Sequence, residues 1–454
     1  MRLTVLFVCL LVVGALAASP ANAQLRTGIA DPTKLTHTNN RAFDRARTTG
    51  ASAVRLVLNW YDVAGAGPFV DPTDHETGYF WDHFDKQVKK ADARGLDVIA
   101  SIQRTPHWID PKGVQAAPAE LGAFAAAAAA RYNGSFTPSG ATKPLPRIRY
   151  WQVWNEPNRR YFLQPQWIGD TLVSPTRYRN MVNAVAAAVR DVHEDNLVIA
   201  GGQAPLGNKQ GPAPLRFMRQ LLSEPVSFDI WSHHPYTSGG PTHKASGSGN
   251  VALGNLPTMR KVLRENEKAG RILTNLGKVQ FWVTEFSWDT KGPDPQGVPM
   301  KLHARWTSEA LYRMWRQGIS LVTWFRIQDD PLNVSYYQSG FYTVGGKRKL
   351  SFRAFRFPFV AFRFPGRIQV WGRTPTSAPG KVVIQVKTGR RWRAVTSVNA
   401  SPAGIFRKTF KTSYANGMVR ARFPKTKEAS VPFSLTRPKD RWVNPFGCGG
   451  IIPC

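Results

Sequence analysis

Eight short runs rich in β-branched and aromatic residues recur between Thr27 and Ile327, with helical patterns in between. The runs are Thr27–Ala30, Ala53–Asn59, Leu96–Gln103, Ile148–Asn155, Leu197–Gly201, Phe228–His233, Val279–Thr284 and Leu321–Ile327. The helical segments include Trp81–Arg94, Ala119–Tyr132, Pro175–Val192, Leu215–Leu222, Leu256–Ala269 and Ala304–Arg316. Gly50, Gly95, Gly134, Gly270 and Gly318 stand where such helices want a left-handed cap. Strand–helix units repeated in this way predict an α/β protein built on a (β/α)8 TIM barrel. An open, doubly wound sheet is the rival, but no Gly-rich phosphate turn follows the first strand. The alanine run Ala125–Ala130 reads as a good helix former whose small side chains let a helix lie close to the barrel.

The period changes after about residue 361. Short alternating stretches follow at Arg367–Trp371, Val382–Lys387, Trp392–Val398, Gly404–Phe410 and Met418–Phe423, separated by Pro, Gly and Asn-Gly turns. They predict a small all-β sandwich over residues 361–437 after a barrel over 24–360, with an irregular tail at 438–454. At the other end, Arg2, the apolar run Leu3–Ala18 and the small residues Ala21 and Ala23 read as a signal peptide over 1–23. The expected location is secreted, either extracellular or associated with the cell wall. An uncleaved anchor is the competing reading of that segment, and no later apolar stretch is long enough to cross a bilayer. Cys9 leaves with the signal. Cys448 and Cys454 are then a candidate for closing a small C-terminal loop in an oxidising space.

The chemistry gathers at strand ends. Glu156 closes the fourth strand in Trp154-Asn155-Glu156-Pro157-Asn158, and Glu285 closes the seventh in Trp282-Val283-Thr284-Glu285-Phe286. In a closed barrel these ends face each other across the mouth, where catalytic groups sit. Two carboxylates in one cleft are the equipment for glycosidic bond cleavage: one donates a proton to the leaving oxygen, the other attacks or steadies the sugar cation. Arg55 from strand two and Tyr236 from the end of strand six are placed to favour the Glu285 anion by charge and hydrogen bonding. A charge inside a barrel needs a partner, and Glu285 is the one the topology offers Arg55. Glu156, facing fewer cations, is then the group that keeps its proton. His233 and His234 are adjacent, so only one of them faces the cleft. No Cys/His cluster or metal-ligand spacing occurs, and neither a metal nor a cofactor is expected.

Asn-Glu-Pro after a fourth strand and Thr-Glu-Phe after a seventh resemble clan A glycoside hydrolases, the retaining "four/seven" superfamily. The resemblance covers roughly residues 27–358. The run Arg104-Thr105-Pro106-His107-Trp108 and the His234-Pro235-Tyr236 stretch are similar to the family 39 branch, with family 5 also near. The resemblance implies Glu156 as acid/base and Glu285 as nucleophile. It implies Asn155 on the sugar 2-hydroxyl, and Arg55, His234 and Tyr236 around the nucleophile. It also puts His107 and Trp108 at the substrate and Trp324 as the floor of the subsite that holds the cleaved sugar. Trp60, Trp108, Trp154, Trp288 and Trp324 all fall near strand ends, which leads us to expect one or two sugar-stacking platforms among them.

The expected function is that of a secreted retaining glycosidase acting on a β-linked poly- or oligosaccharide, its two carboxyls ~5–5.5 Å apart. Two other readings share the sequence: a non-catalytic carbohydrate- or wall-binding protein, and a transglycosidase using the same carboxylates. Loops such as Tyr61–Tyr79 and Gly239–Asn255 would set the sugar and linkage. Formal net charge is +32, and residues 346–441 hold 23 Lys/Arg against two acids, Glu428 and Asp440. That field suits an anionic cell-wall polymer as partner of the C-terminal domain. Nucleic acid is not expected, because no recognised nucleic-acid motif occurs there and the chain reads as exported.

Overall fold

The structure is a computed structural model and describes residues 24–441, apart from Gln210, Pro293, Tyr336 and Asp440. The segment read as a signal peptide, Cys448, Cys454 and nearly all of the tail lie outside the described residues.

Eight parallel strands close into a barrel: β1 Arg26–Ala30, β2 Ala53–Asn59, β3 Asp97–Gln103, β4 Tyr150–Val153, β5 Leu197–Gln203, β6 Ile230–His233, β7 Gln280–Val283 and β8 Ile319–Phe325. Each pairs with the next, and β8 returns to β1 with Ile29 opposite Trp324. Each is followed by a helix: α1 Asn40–Thr48, α2 Asp82–Asp92, α3 Pro118–Arg131, α4 Ser174–Val192, α5 Pro214–Leu221, α6 Leu256–Lys268, α7 Met300–Arg316 and α8 Leu350–Arg356. Pro opens α3 and α5 at a position that has no intrahelical amide to lose. Gly318, at φ 75°, ends α7 in a conformation that L side chains resist.

The period of two along each strand divides the lumen into layers. Ala53, Ile99, Leu197, Ile199, Ile230, Trp282 and Leu321 form a separate apolar plug at its lower end, with Tyr150 packed against it. One or two steps higher, the same parity brings in Arg55, Ser101, Gln152, Ser232 and Thr284, so the upper lumen is polar. The outward faces pack on the helices in the main core. The barrel is thus solid below and chemically active only at the carboxyl ends of its strands.

Six further strands form the C-terminal sandwich: β9 Phe359–Phe364, β10 Arg367–Arg373, β11 Gly380–Thr388, β12 Arg391–Ala400, β13 Ile405–Lys411 and β14 Met418–Phe423, completed by the short β15 Glu428–Ala429 and β16 Phe433–Ser434. One antiparallel sheet runs β9–β10–β13; the other runs β12–β11–β14–β15, with β16 also on β14. The sandwich begins at β9, which straddles the boundary expected between residues 360 and 361. It shares its core with the barrel: Tyr312 and Trp315 of α7 pack on Trp371 with ring centroids 5.4 Å apart in each pair. Buried Arg373 donates to the Leu25 carbonyl and the Thr27 hydroxyl, both at 3.0 Å, near the lower end of β1. Among the described residues no helix is long and apolar enough to cross a membrane.

Candidate active site

Arg55 rises from the middle of β2 into the polar layer and is almost fully buried (6% exposed). Its Nε donates to Gln152 Oε1 at 2.9 Å, and its Nη2 donates to Ser101 Oγ at 3.0 Å and Asn155 Oδ1 at 2.8 Å. These bonds fix the plane of the guanidinium and leave Nη1 to donate to Glu285 Oε2 at 3.3 Å. The other oxygen of Glu285 accepts from the Tyr236 hydroxyl at 2.8 Å. A guanidinium on one oxygen and a hydroxyl donor on the other favour the carboxylate form. Glu285 therefore stands as an oriented anion whose side chain remains 18% exposed at the cleft.

Glu156 is held differently. The chain leaves β4 through two residues with positive φ, Trp154 at 65° and Glu156 itself at 39°. Such angles are costly for side-chain-bearing residues and need outside support. The Trp154 amide donates to the Ile102 carbonyl and the Glu156 amide to the Gly202 carbonyl, both at 2.9 Å. Gly202 has no room for a side chain: a Cβ there would lie 2.9 Å from the Gln152 amide nitrogen. The Trp154 indole donates to the Phe162 carbonyl at 2.7 Å, and buried Asn158 ties the loop to Ala204 and Pro212. The strained turn thus points Glu156 into the mouth.

His234 is the contact between the two halves of the site. Its Nδ1 lies 3.1 Å from Glu156 Oε1, and its Nε2 lies 3.2 Å from Thr284 Oγ1, one residue before Glu285. Thr284 donates to Ser232 Oγ at 3.0 Å, which leaves its oxygen to accept from His234 Nε2–H. Nδ1 then offers a lone pair to Glu156, a pairing that suits a protonated carboxyl. Burial lowers the His234 pKa to about 4, so the ring is neutral near pH 7. Burial also raises Glu156 to about 7, opposed by the charges of Arg159 and Arg55. The carboxyl is 17% exposed, enough to meet a ligand. Two carboxyls of the same chemical type are therefore held in different states by their surroundings.

Sequence reasoning placed Glu156, Glu285, Arg55, Asn155, His234 and Tyr236 together, and the structure brings these six into one network. His233 points outward, its Nε2 2.7 Å from the Val251 carbonyl. His107 and Trp108 lie on the rim loop after β3 and form no hydrogen bond or ion pair with either glutamate. The exposed His107 ring lies 5.8 Å from the Tyr61 ring, and Trp108 donates to the Ala64 carbonyl at 2.9 Å.

Trp324 is a correction. It is fully buried, its indole donates to the Ser339 carbonyl at 2.8 Å, and its ring packs on His303 of α7 and Phe355 of α8. Strand parity explains this: Leu321, Thr323 and Phe325 point inward, so Trp324 points to the helices. It does not floor the cleft. Trp60, Trp154 and Trp288 are no more than 2% exposed, so of the five tryptophans only the half-buried Trp108 keeps any open ring. We expect Trp324→Phe to lower the melting temperature by several degrees and to leave KM for a glycoside within twofold, measured by calorimetry and steady-state kinetics. A tenfold rise in KM with unchanged stability would restore Trp324 to the subsite.

The loop after β8 supplies groups that the sequence did not announce. Phe325 packs edge-on to Tyr337 at 5.1 Å. Burial, then the charges of Glu285 and Glu156, push the Tyr337 hydroxyl up to about 12, which puts it within the field of both carboxylates. Lys349 anchors this loop from below, donating to Thr290 Oγ1, Asp329 Oδ1 and the Gln338 carbonyl at 2.7–2.8 Å. Gln152 and Ser101 were also missed, although their parity with Arg55 was readable. Among the described residues no group of three or more His, Cys, Asp or Glu is placed to hold a metal ion.

No protein-family profile matches this chain, and no curated protein does. Solved structures do match. A family 39 glycoside hydrolase from the gut symbiont Bacteroides cellulosilyticus WH2 aligns with a TM-score of 0.55 and 16% identity over 87% of this chain and 82% of its own. A glucosidase from Croceicoccus marinus aligns with a TM-score of 0.51 and 14% identity over 86% of this chain and 94% of its own. At such identities the likeness is one of fold, an eight-stranded parallel barrel carrying additional antiparallel sheets.

Proposed function

We propose that this protein is a retaining glycoside hydrolase that cleaves β-linked poly- or oligosaccharides by double displacement. The observation that carries the reading is the unequal setting of the two glutamates. Glu285 is an anion with both oxygens held by Arg55 and Tyr236; Glu156 is a buried carboxyl that keeps its proton up to about pH 7.

In the first half-reaction Glu285 attacks the anomeric carbon while Glu156 gives its proton to the leaving oxygen. The glycosyl ester that forms has no charge on the nucleophile. In the second half-reaction Glu156, now ionised, takes a proton from water as the water attacks the same carbon, and Glu285 leaves. Glu156 is protonated again at the end of the cycle. Asn155, locked by Arg55, is placed beside the sugar, and Tyr236 holds Glu285 in line for attack. The N-terminal segment supports export, so the proposed place of action is outside the cell or at the cell wall.

The test is hydrolysis of a panel of β- and α-linked glycans, with the first-formed product followed by proton NMR. We expect cleavage of a β-linked substrate and initial release of the β anomer. Initial release of the α anomer would show inversion and remove Glu285 as nucleophile. Binding without cleavage across the panel would leave a carbohydrate-binding protein instead.

A further inference from the structure

The outer face of the β12–β11–β14 sheet takes no part in the proposed chemistry. Val382, Ile384 and Val386 of β11 point into the sandwich, so Lys381, Gln385 and Lys387 point out. On β14, Val419, Ala421 and Phe423 are buried, so Arg420 and Arg422 point out. The register aligns these sets: Gln385 lies opposite Arg420, Val383 opposite Arg422, and Lys387 opposite Trp392 of β12. Residues directly opposite share a face.

Arg420 is the organised member. Its Nε donates to Gln385 Oε1 at 2.8 Å, and its guanidinium lies 4.2 Å from the centre of the Trp392 ring. The plane is fixed, while Nη1 and Nη2 hold no hydrogen-bond partner among the described residues. Burial and the charges of Arg422 and Arg353 lower its pKa. No carboxylate among the described residues answers this cluster. Among the described residues none of Lys381, Lys387, Arg420 and Arg422 has an acidic partner within 4.0 Å, and Glu428 is already engaged by both Arg356 Nε and Nη2, at 2.8 and 2.9 Å. Unpaired like charges on one face repel each other and disfavour the compact state.

We propose that this sheet face is a second carbohydrate-binding site, which anchors the protein to a carboxylated polysaccharide of the polyuronate class. A planar guanidinium with two free N–H edges matches a carboxylate in bidentate fashion. Arg420 and Arg422 lie about 7 Å apart along β14, and Lys381 and Lys387 stand near the two ends of the neighbouring β11, so the charge is spread over the face, which serves a polymer with repeated charge better than one small anion. A nucleic acid fits less well, because the Trp392 ring is covered by Arg420 and offers no clear surface for a base. The choice of a carbohydrate rests on the glycosidase reading; the face itself is independent of it. The sandwich lies along α7, from Trp371 on Trp315 to the Ser434 carbonyl, which accepts from Arg305 at 2.7 Å, with Leu25 and Thr27 at the lower seam.

The test is affinity electrophoresis of the full-length protein, its E285Q form and an R420Q/R422Q form in gels holding polygalacturonate or a neutral β-glucan. We expect wild type and E285Q to be retarded equally by polygalacturonate, and any retardation by the glucan, which the cleft would cause, to be the same in R420Q/R422Q. R420Q/R422Q should lose about tenfold or more in affinity while keeping its circular dichroism spectrum and its turnover of a small soluble glycoside. Equal retardation of the double variant by polygalacturonate, loss of glucan retardation in the double variant, or tighter binding to single-stranded DNA would each overturn the proposal. Retention without turnover by the wild type would leave the anchor standing and remove the glycosidase reading. Turnover without retention would do the reverse.

Discussion

Glu285→Gln is expected to lower kcat by on the order of 10⁵-fold, the scale on which enzymes lose turnover when the nucleophile is removed. The replacement has the same shape and can still accept a hydrogen bond from Tyr236, while Arg55 keeps its three other acceptors. The melting temperature should therefore fall by a few degrees only. A second readout isolates the role. A 2-fluoro glycoside with an activated leaving group should add one glycosyl mass to the wild-type chain, at the peptide that carries Glu285, and none to the variant. If the variant kept more than a trace of turnover in a preparation free of wild type, another group would be the nucleophile.

The second large effect concerns Glu156 and its proton. A general acid must be protonated to act, and burial raises this carboxyl to about 7. Rate should thus be full below about pH 7 and fall as pH rises through it. The basic limb cannot belong to His234, whose pKa near 4 makes it neutral throughout that range. Glu156→Gln should abolish the limb and slow the cleavage of unactivated glycosides by about 10²–10⁴-fold. Aryl glycosides with good leaving groups should still give a burst, followed by a slow second step, because water then lacks its base. Added azide, which needs no base, should rescue that step and yield a glycosyl azide. A pH profile unchanged in the variant would remove Glu156 from the role.

Much of this arrangement was legible in the order of residues. A period of two and a period of 3.6 are different signals, and they marked the barrel strands and most helices to within a few residues. Glu156, Glu285 and Arg55 were readable because a parallel barrel fixes which strand ends face each other. What escaped was decided by parity and by loops. The resemblance puts Trp324 in the cleft, whereas its neighbours Thr323 and Phe325 own the inward positions. The rim tryptophans were aromatic and near strand ends, but their indole nitrogens are satisfied by backbone carbonyls such as Phe162 and Gly239, which draws the rings into the wall. Tyr337 follows no periodic signal, since its place depends on a loop folded over buried Lys349 and Asp329. Strand β9 was hidden because Phe-rich sequence runs through α8 and Pro358 into it without a change in composition.

The joint between barrel and sandwich has a mechanical meaning. Aromatic rings of α7 and Trp371 interlock there, and Arg373 closes the seam with bonds to β1. Packing and hydrogen bonds of this kind oppose independent swinging of the sandwich, which is unlike a bead on a flexible leash. A molecule gripping a polymer by its sheet face would carry its blade at one constant offset. It would clear a small halo around each foothold, and it would have to let go to reach fresh material.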